Sequence, residues 1–202
     1  LAGRDLTCEY GLIPVNLNTG SFHLESNDFS FNVFADEFTF TRTYNSSAAE
    51  VPGDFGYGWS YSGNYAVAKG NGGATVLLED GTRYYFELDE TTGKYTNDLT
   101  VKYKLEYDTD HFVLKSQDKT IVFNTKGKVS SIIDHHGNIT SYTYNGLQLN
   151  TITLPDGKTM AFEYSGGVIS KVTMEDGSYV SYSYDADKNL ITFTDQTGVT
   201  IH

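Results

Sequence analysis

The acids, histidines and single cysteine of this sequence are the residues best suited to chemistry. The stretch "DADKN" (Asp185, Asp187, Asn189) is similar to the start of a calcium-binding loop. Such a loop also needs Gly at its sixth position and Glu at its twelfth, where this sequence has Leu190 and Gln196. We therefore interpret the stretch as a polar turn.

The other candidates for a metal or catalytic site do not converge either. His135 and His136 are adjacent and would point to opposite faces of a strand, so we interpret them as solvated turn residues. Cys8 has no local signature and is interpreted as an inert thiol. The 26 acids leave room for a carboxylate pair of the glycosidase kind, but those at turns have a structural reason to be there. We predict no catalytic residue, metal or cofactor.

Two further side chains have both a structural and a ligand-binding interpretation. Arg42 lies on the aromatic side of its predicted strand, where it would either pack over rings or bind a ligand; packing is favoured. Trp59, among glycines that include Gly56 and Gly58, would either fill a tight corner or stack on a sugar. We favour the corner and keep Trp59 as the candidate glycan contact.

Composition and charge exclude several classes of protein. The net charge of −12 and the absence of a Lys/Arg cluster argue against nucleic acid as a partner. No apolar run approaches the roughly 20 residues that span a bilayer. With one cysteine no intrachain disulfide can form. The sequence starts without a charged, apolar leader, which is compatible with a signal peptide that has been removed.

The elements that would position these residues are β-strands. The chain has 16 Tyr, 12 Phe and 20 Gly, and no window shows helical periodicity. Residues 1–28 are predicted to be irregular and 29–44 to form a hairpin that turns at Ala35-Asp36-Glu37. Residues 45–73 are predicted to be a glycine-rich excursion. Asp80-Gly81 predicts a type I′ hairpin turn.

A repeat dominates the second half of the chain. Gly137, Gly157 and Gly177 are 20 residues apart (157−137 and 177−157), and Gly198 follows after 21 (198−177). Each of the first three precedes an aromatic-x-Tyr pair by five residues: Tyr142 and Tyr144, Phe162 and Tyr164, Tyr182 and Tyr184.

This spacing predicts a row of stacked hairpins. The ring positions share one face of each second strand, and the glycines are predicted to sit in two-residue turns such as Asp156-Gly157 and Asp176-Gly177. One hairpin cannot bury its rings alone, so neighbouring hairpins must pair. We predict an all-β spiral of antiparallel hairpins with little or no helix. Residues 1–118 form an N-terminal β segment, and residues 119–202 an array of about four repeats.

The repeat resembles the tyrosine-aspartate (YD) repeat of bacterial rearrangement-hotspot (Rhs) proteins and the related teneurin and toxin-complex shells. "SYSYDADKNLITFTDQTG" is the nearest match, with Tyr184-Asp185 as the name-giving pair. Two other copies have Asn145 and Ser165 in place of the aspartate. "PVNLNTGSF", "FTRTYNS" (Arg42, Tyr44) and "FGYGWSYS" (Gly56, Gly58, Trp59) resemble the segment before the repeats in Rhs and wall-associated proteins.

The resemblance implies a scaffold and not an enzyme. In that family the repeats form a hollow β shell that encloses a C-terminal toxin domain or presents an adhesive surface. Its members often cut themselves with an aspartate-based site, but no residue of this sequence matches that role. Expected partners are further repeats and a toxin of the same polypeptide, glycans or a cell surface, and self-association through sheet edges. The expected location is secreted or cell-wall associated in a bacterium.

Three functions therefore follow from the sequence. The first is a shell-forming scaffold, the second a carbohydrate- or surface-binding adhesive module, and the third a hydrolase. The hydrolase is disfavoured because no convergent set of titratable groups is present. Which face of the array is interior, and what covers its rings, the sequence leaves open.

Overall fold

The described part of the chain is built from antiparallel β-strands. A computed structural model describes residues 15–16, 21–34, 36–97 and 102–202. Within them one short 3₁₀ helix, Ser46–Ala48, is the helical element, and no helix is long and apolar enough to cross a membrane. The prediction of an all-β, hairpin-rich fold is confirmed. Cys8 lies outside the described residues.

The strands before residue 100 are short apart from one long hairpin. They are β1 (Val15–Asn16), β2 (Ser21–Val33), β3 (Asp36–Asn45), β4 (Pro52–Gly53), β5 (Gly56–Tyr57), β6 (Trp59–Tyr61), β7 (Ala66–Gly70), β8 (Gly73–Leu77), β9 (Arg83–Asp89) and β10 (Lys94–Thr96).

The later strands are more regular in length. They are β11 (Lys104–Asp108), β12 (His111–Lys115), β13 (Lys119–Phe123), β14 (Val129–Asp134), β15 (Ile139–Asn145), β16 (Gln148–Thr153), β17 (Thr159–Ser165), β18 (Val168–Met174), β19 (Tyr179–Tyr184), β20 (Leu190–Thr194) and β21 (Thr200–Ile201).

The strands form four sheets. Their orders are β1-β2-β3-β6, β10-β9-β8-β7, β4-β5 and an eleven-stranded sheet in which β11 to β21 follow one another in chain order. The chain divides into two compact units, one containing the described residues up to Ser62 with Phe162–His202, the other Gly63–Ala161. The predicted boundary between the N-terminal β segment and the repeat array, at residues 118 and 119, rests on the repeat pattern and stays a prediction.

The expectation of irregular structure over residues 1–28 is wrong for the described residues, because β2 begins at Ser21. The register of β2 against β3 shifts between Asn27 and Phe29, which leaves Asp28 in a β-bulge. A bulge adds one residue to one strand and so breaks the alternation of apolar and polar side chains. The hairpin turn also lies earlier than predicted, since Val33 pairs with Asp36; Ala35 is outside the described residues.

The segment 45–73 is more ordered than the predicted excursion. It contains the 3₁₀ helix, the strands β4, β5, β6 and β7, and the first residue of β8. Trp59 lies on β6 and pairs with Tyr44 of β3. Short strands with many glycines carry too few alternating apolar side chains to be recognised by periodicity.

The ring-bearing face of the array is the buried one. In the unit that contains the N-terminal strands, Phe162 and Tyr182 are each 6% exposed and Val180 is fully buried. In the other unit Tyr142 and Met160 are buried in the same way. Residues on the opposite face, such as Tyr179, are exposed. The predicted alternation is therefore present.

The glycine turns differ from the predicted two-residue type I′ turns. At Asp156-Gly157 the Gly157 N–H donates to the Leu154 carbonyl and the Leu154 N–H to the Lys158 carbonyl, which closes a three-residue loop. Only Gly157 has a positive φ, +92°, whereas type I′ requires positive φ at both central residues. This is the three-residue loop that ends in a left-handed residue. The turns around Gly81, Gly137, Gly177 and Gly198 have the same two hydrogen bonds.

One turn of this type has no glycine. Asp185 N–H donates to the Asn189 carbonyl and Lys188 N–H to the Asp185 carbonyl, so Lys188 occupies the glycine position at φ +65°. The same place in the two earlier copies has tight turns, Gly146-Leu147 and Gly166-Gly167. The longer turn adds one residue between β19 and β20, which explains the single spacing of 21.

Lys188→Gly should stabilise the protein. A non-glycine residue in the left-handed region costs about 1–2 kcal/mol, and the greater freedom of glycine in the unfolded chain offsets about 0.5–1 kcal/mol of that. We expect the free energy of unfolding to rise by several tenths of a kcal/mol, measured by chemical denaturation. Lys126→Gly, in a turn whose left-handed residue is already Gly127, is the control and should destabilise. A loss of stability in Lys188→Gly would contradict the strain argument.

Candidate functional site

A buried polar cluster lies at the centre of the unit that contains the N-terminal strands. It consists of Asp28 in the bulge of β2, Arg42 on β3 and Tyr182 on β19, with relative exposures of 7%, 2% and 6%. The bulge aims the Asp28 carboxylate toward Arg42. We call these three residues the ion-pair cluster.

Every oxygen of the Asp28 carboxylate is hydrogen-bonded. Arg42 Nη2 donates to Oδ1 at 2.7 Å and Arg42 Nε donates to Oδ2. Tyr182 Oη donates to Oδ2 at 2.6 Å, and Ser26 Oγ donates to Oδ1 at 3.0 Å. The guanidinium therefore grips the carboxylate with two N–H groups, the geometry in which charge-assisted hydrogen bonds are strongest.

Aromatic rings enclose the Arg42 guanidinium. Its central carbon lies 4.9 Å from the ring centroids of Trp59, Tyr182 and Phe193, and 5.9 Å from that of Phe55. The attraction between a cation and a ring face increases when water is excluded. The packing interpretation of Arg42 describes this arrangement, in which the residue is 2% exposed.

The N-terminal strands cover the ring-bearing face of the repeats within this unit. Phe55 is fully buried, with its centroid 4.9 Å from that of Tyr182. Phe40, also fully buried, lies 5.9 Å from Phe162. The Ile169 N–H of β18 donates to the Asp54 carbonyl at 2.7 Å, which adds a main-chain contact. The N-terminal segment thus supplies the cover that the sequence left open.

The glycines near Trp59 allow this close packing. A Cβ on Gly56 would collide with the Lys188 carbonyl and the Tyr184 ring. A Cβ on Gly58 would lie 2.6 Å from the ring of Tyr44. Trp59 itself is half-buried, and its centroid is 5.4 Å from that of Tyr44. The motif residues therefore serve the packing of β3, β6 and the array.

The second unit contains a carboxylate in a similar setting. Glu79 accepts hydrogen bonds from Tyr65 Oη at 2.6 Å, Lys119 Nζ at 2.8 Å and the Gly63 N–H at 2.9 Å. Burial opposes the charge of Glu79, but Lys119 and these donors outweigh it and lower its pKa. Tyr142 Oη lies against Gly63.

The remaining residues singled out from the sequence belong to turns. Asp185 Oδ1 accepts the N–H groups of Asp187 and Asn189 at 3.0 and 2.8 Å, which confirms the interpretation of "DADKN" as a polar turn. His135 and His136 are exposed in the turn after β14. Among the described residues no group of three or more His, Cys, Asp or Glu could hold a metal ion.

Sequence reasoning missed Asp28 and the hydroxyl of Tyr182. Asp28 looked like the last residue of an irregular segment. The available signal was an acid immediately before an apolar alternating run, on the strand that pairs with the one carrying Arg42. Because the bulge sets which way Asp28 points, alternation alone would have assigned it to the wrong face.

Comparison with known proteins finds a match to one family model and similarity to larger bacterial proteins. Residues 13–86 match a domain of unknown function, DUF6531. Over 135 residues the chain is 34% identical to the tRNA nuclease WapA of Bacillus subtilis (strain 168) and to the tRNA(Glu)-specific nuclease WapA of Bacillus subtilis subsp. natto. Over 133 residues it is 34% identical to the tRNA3(Ser)-specific nuclease WapA of Bacillus spizizenii. Each alignment covers 65% of this chain and 6% of the relative, so the chain matches a small part of those proteins.

Removing one partner of the ion pair should cost more than removing both. Arg42→Leu leaves the Asp28 carboxylate buried without a cation, which typically costs about 3–5 kcal/mol. The double variant Asp28→Leu/Arg42→Leu leaves no unpaired charge and should be the more stable of the two. Chemical denaturation of the two variants and the parent measures both effects.

The control for this pair is Lys104→Leu, which removes an ion pair with Glu106 from an exposed lysine. Exposed pairs contribute little to stability, so its unfolding midpoint should not change. Equal destabilisation by Arg42→Leu and the double variant would contradict the role assigned to the buried charge.

Alkaline pH should unfold the protein. Burial raises the pKa of Tyr182 and Tyr184, and the Asp28 charge raises that of Tyr182 further; burial also raises the pKa of Tyr65 and Tyr142. Below the unfolded-state value of about 10 both states hold these protons, so the stability is complete. Above it only the unfolded chain loses them, and stability falls by about 1.4 kcal/mol per pH unit per group.

Circular dichroism and tyrosinate absorbance, followed together from neutral to alkaline pH, check this prediction. Tyr182→Phe is the control and should show a shallower loss of stability with pH. Ionisation of these phenols near pH 10 in a chain that stays folded would contradict it.

Proposed function

We propose that this chain is a non-catalytic β-shell segment of a secreted YD-repeat protein whose repeats enclose or display a C-terminal toxin domain. The observation that carries the proposal is the cover over the ring-bearing face: Phe40, Phe55, Asp28 and Arg42 pack against Phe162 and Tyr182 within one unit. The buried charged side chains, Asp28 and Arg42, are hydrogen-bonded to each other, and Arg42 also packs on aromatic rings. A wall segment needs such packing, whereas an enzyme needs free groups in a cleft.

The comparisons support the family part of this proposal. The relatives are named as tRNA nucleases, and the aligned stretch is 6% of each. In the proposed arrangement nuclease chemistry belongs to a different part of such proteins, and this stretch contributes sheet. The proposed partners are further hairpins and the toxin domain of the same polypeptide, and the proposed location is the bacterial surface or its exterior.

Trp59 provides a direct test, because it is the one tryptophan in the sequence. A scaffold predicts that the purified chain leaves tRNA intact and that cell-wall saccharides do not change tryptophan fluorescence. Arg42 and Tyr44 already contact the Trp59 ring, so a sugar would have to displace part of the packing. Tyr85→Ala, at a residue that is 51% exposed in the other unit, is the control for loss of an exposed aromatic side chain.

Two results would contradict the scaffold proposal. The first is tRNA cleavage that persists through purification and is abolished by a point substitution in this chain. The second is saturable saccharide binding that Trp59→Ala removes while the fold is retained and Tyr85→Ala does not. The second result would establish the adhesive module instead.

A further inference from the structure

The first ring of the aromatic-x-Tyr pair differs between copies by a single hydroxyl. The three residues are Tyr142, Phe162 and Tyr182, and each is 6% exposed. Their places in the hairpins are equivalent, since Tyr142 pairs with Ile152 and Tyr182 with Phe193. A difference of one polar atom at an otherwise identical buried place must be matched by its surroundings, because an unpaired buried hydroxyl costs free energy.

The surroundings of Tyr182 and Phe162 match the presence and absence of the hydroxyl. Tyr182 Oη donates to the Asp28 carboxylate at 2.6 Å. Phe162 faces the ring of Phe40, which is fully buried and stacks on Phe29 at a centroid distance of 5.0 Å. The N-terminal strands thus present a carboxylate, Asp28, to the tyrosine of one hairpin and an apolar ring, Phe40, to the phenylalanine of the neighbouring hairpin.

In the other unit the equivalent tyrosine is Tyr142. Its Oη lies against Gly63, whose N–H donates to the Glu79 carboxylate. The contrast between a tyrosine beside a carboxylate and a phenylalanine beside a ring is therefore seen in the unit that contains Phe162 and Tyr182.

We infer that the hydroxyl at this repeat position specifies which hairpin the N-terminal segment docks on. The docking surface consists of Asp28, Phe40, Arg42 and Phe55, and the partner that it fits is a pair of neighbouring hairpins with Phe in one copy and Tyr in the next. A slip by one hairpin moves the surface by two strand spacings, about 9.5 Å. A slip toward the preceding hairpin would place Phe162 against Asp28, and a slip toward the following hairpin would place the Tyr182 hydroxyl against Phe40.

A slip in either direction is disfavoured. In the first case the buried Asp28 carboxylate would lose the hydrogen bond that the Tyr182 hydroxyl donates to it, and in the second a hydroxyl would be buried against an apolar ring. Ring contacts alone would not distinguish the observed docking position from a slipped one, because Phe and Tyr have nearly the same shape. The polar atoms therefore supply specificity, and the rings supply buried area.

The inference depends on the observed docking within one unit. It rests on the proposed function only for the idea that several equivalent hairpins compete for the N-terminal strands. Its test needs a readout of docking that differs from global stability. The Ile169 amide provides one, because it donates to the Asp54 carbonyl at 2.7 Å and this bond exists only when the segment is seated. The other amides of the β18–β19 ladder report the sheet itself.

The experiment is amide hydrogen exchange on the full chain and four variants: Tyr182→Phe, Phe162→Tyr, the exchanged pair Phe162→Tyr/Tyr182→Phe, and Tyr179→Phe. Tyr179 is 51% exposed on the opposite face, so Tyr179→Phe is the matched control and should leave exchange unchanged. We expect Tyr182→Phe to speed exchange at Ile169 by roughly 10- to 100-fold relative to the ladder amides. Phe162→Tyr, which leaves the ion-pair cluster intact, should also speed it.

The exchanged pair is the decisive variant, because it keeps the number of rings and hydroxyls. If the position of the hydroxyl determines docking, the Ile169 amide of the exchanged pair exchanges at least as fast as that of either single variant. Native protection in the exchanged pair would overturn the inference, and so would acceleration of the Ile169 and ladder amides by the same factor. Either result is independent of tRNA cleavage and saccharide binding, so failure here is distinguishable from failure of the scaffold proposal.

Discussion

Covering one face of a sheet is the constraint on which the rest of this structure depends. A hairpin with rings on one side buries them only if another layer lies on that side, and an isolated hairpin is marginal in water. In one unit that layer consists of the β2–β3 hairpin and the glycine-rich stretch that follows it, which contains Phe55. The glycines follow from the same constraint, because the main chain must approach the array closely at Gly56.

The cover includes a charge in a place where hydrophobic residues would fit. A buried ion pair gains little net stability over an apolar replacement, since both ions lose hydration. Arg42 recovers part of that loss from its rings, and Asp28 from four hydrogen bonds. What the pair adds is direction, because a carboxylate accepts donors only at certain places, whereas a ring packs on any ring. Because the carboxylate needs a donor at a defined place, the single hydroxyl of Tyr182 can determine which hairpin lies against Asp28.

The sequence predicts the repeated part well and the covering part poorly. The strand alternation around Phe162 and Tyr182 and the glycine position of each turn follow from a fixed period, because every copy has the same residue pattern. The covering segment is not repeated, and its key residue, Asp28, lies in a bulge that breaks the alternation. The predicted turn type is also wrong, because Asp-Gly is compatible with a two-residue and a three-residue loop, which differ in their hydrogen bonds and in the sign of φ before the glycine. Contacts between residues more than 100 positions apart, such as Asp28 with Tyr182, leave no local pattern.

The aspartate of the Tyr-Asp pair has a physical role that explains why two copies lack it. After Tyr184 the chain turns without a glycine, Lys188 takes a left-handed conformation, and Asp185 accepts two main-chain N–H groups that hold the loop. After Tyr144 and Tyr164 the turns use Gly146 and Gly166-Gly167, whose positive φ values allow a tighter reversal. The aspartate and the glycines are thus alternative solutions to the same turn. Replacement of Asp by Asn145 or Ser165 is tolerated where glycine follows, and the aspartate matters where it does not.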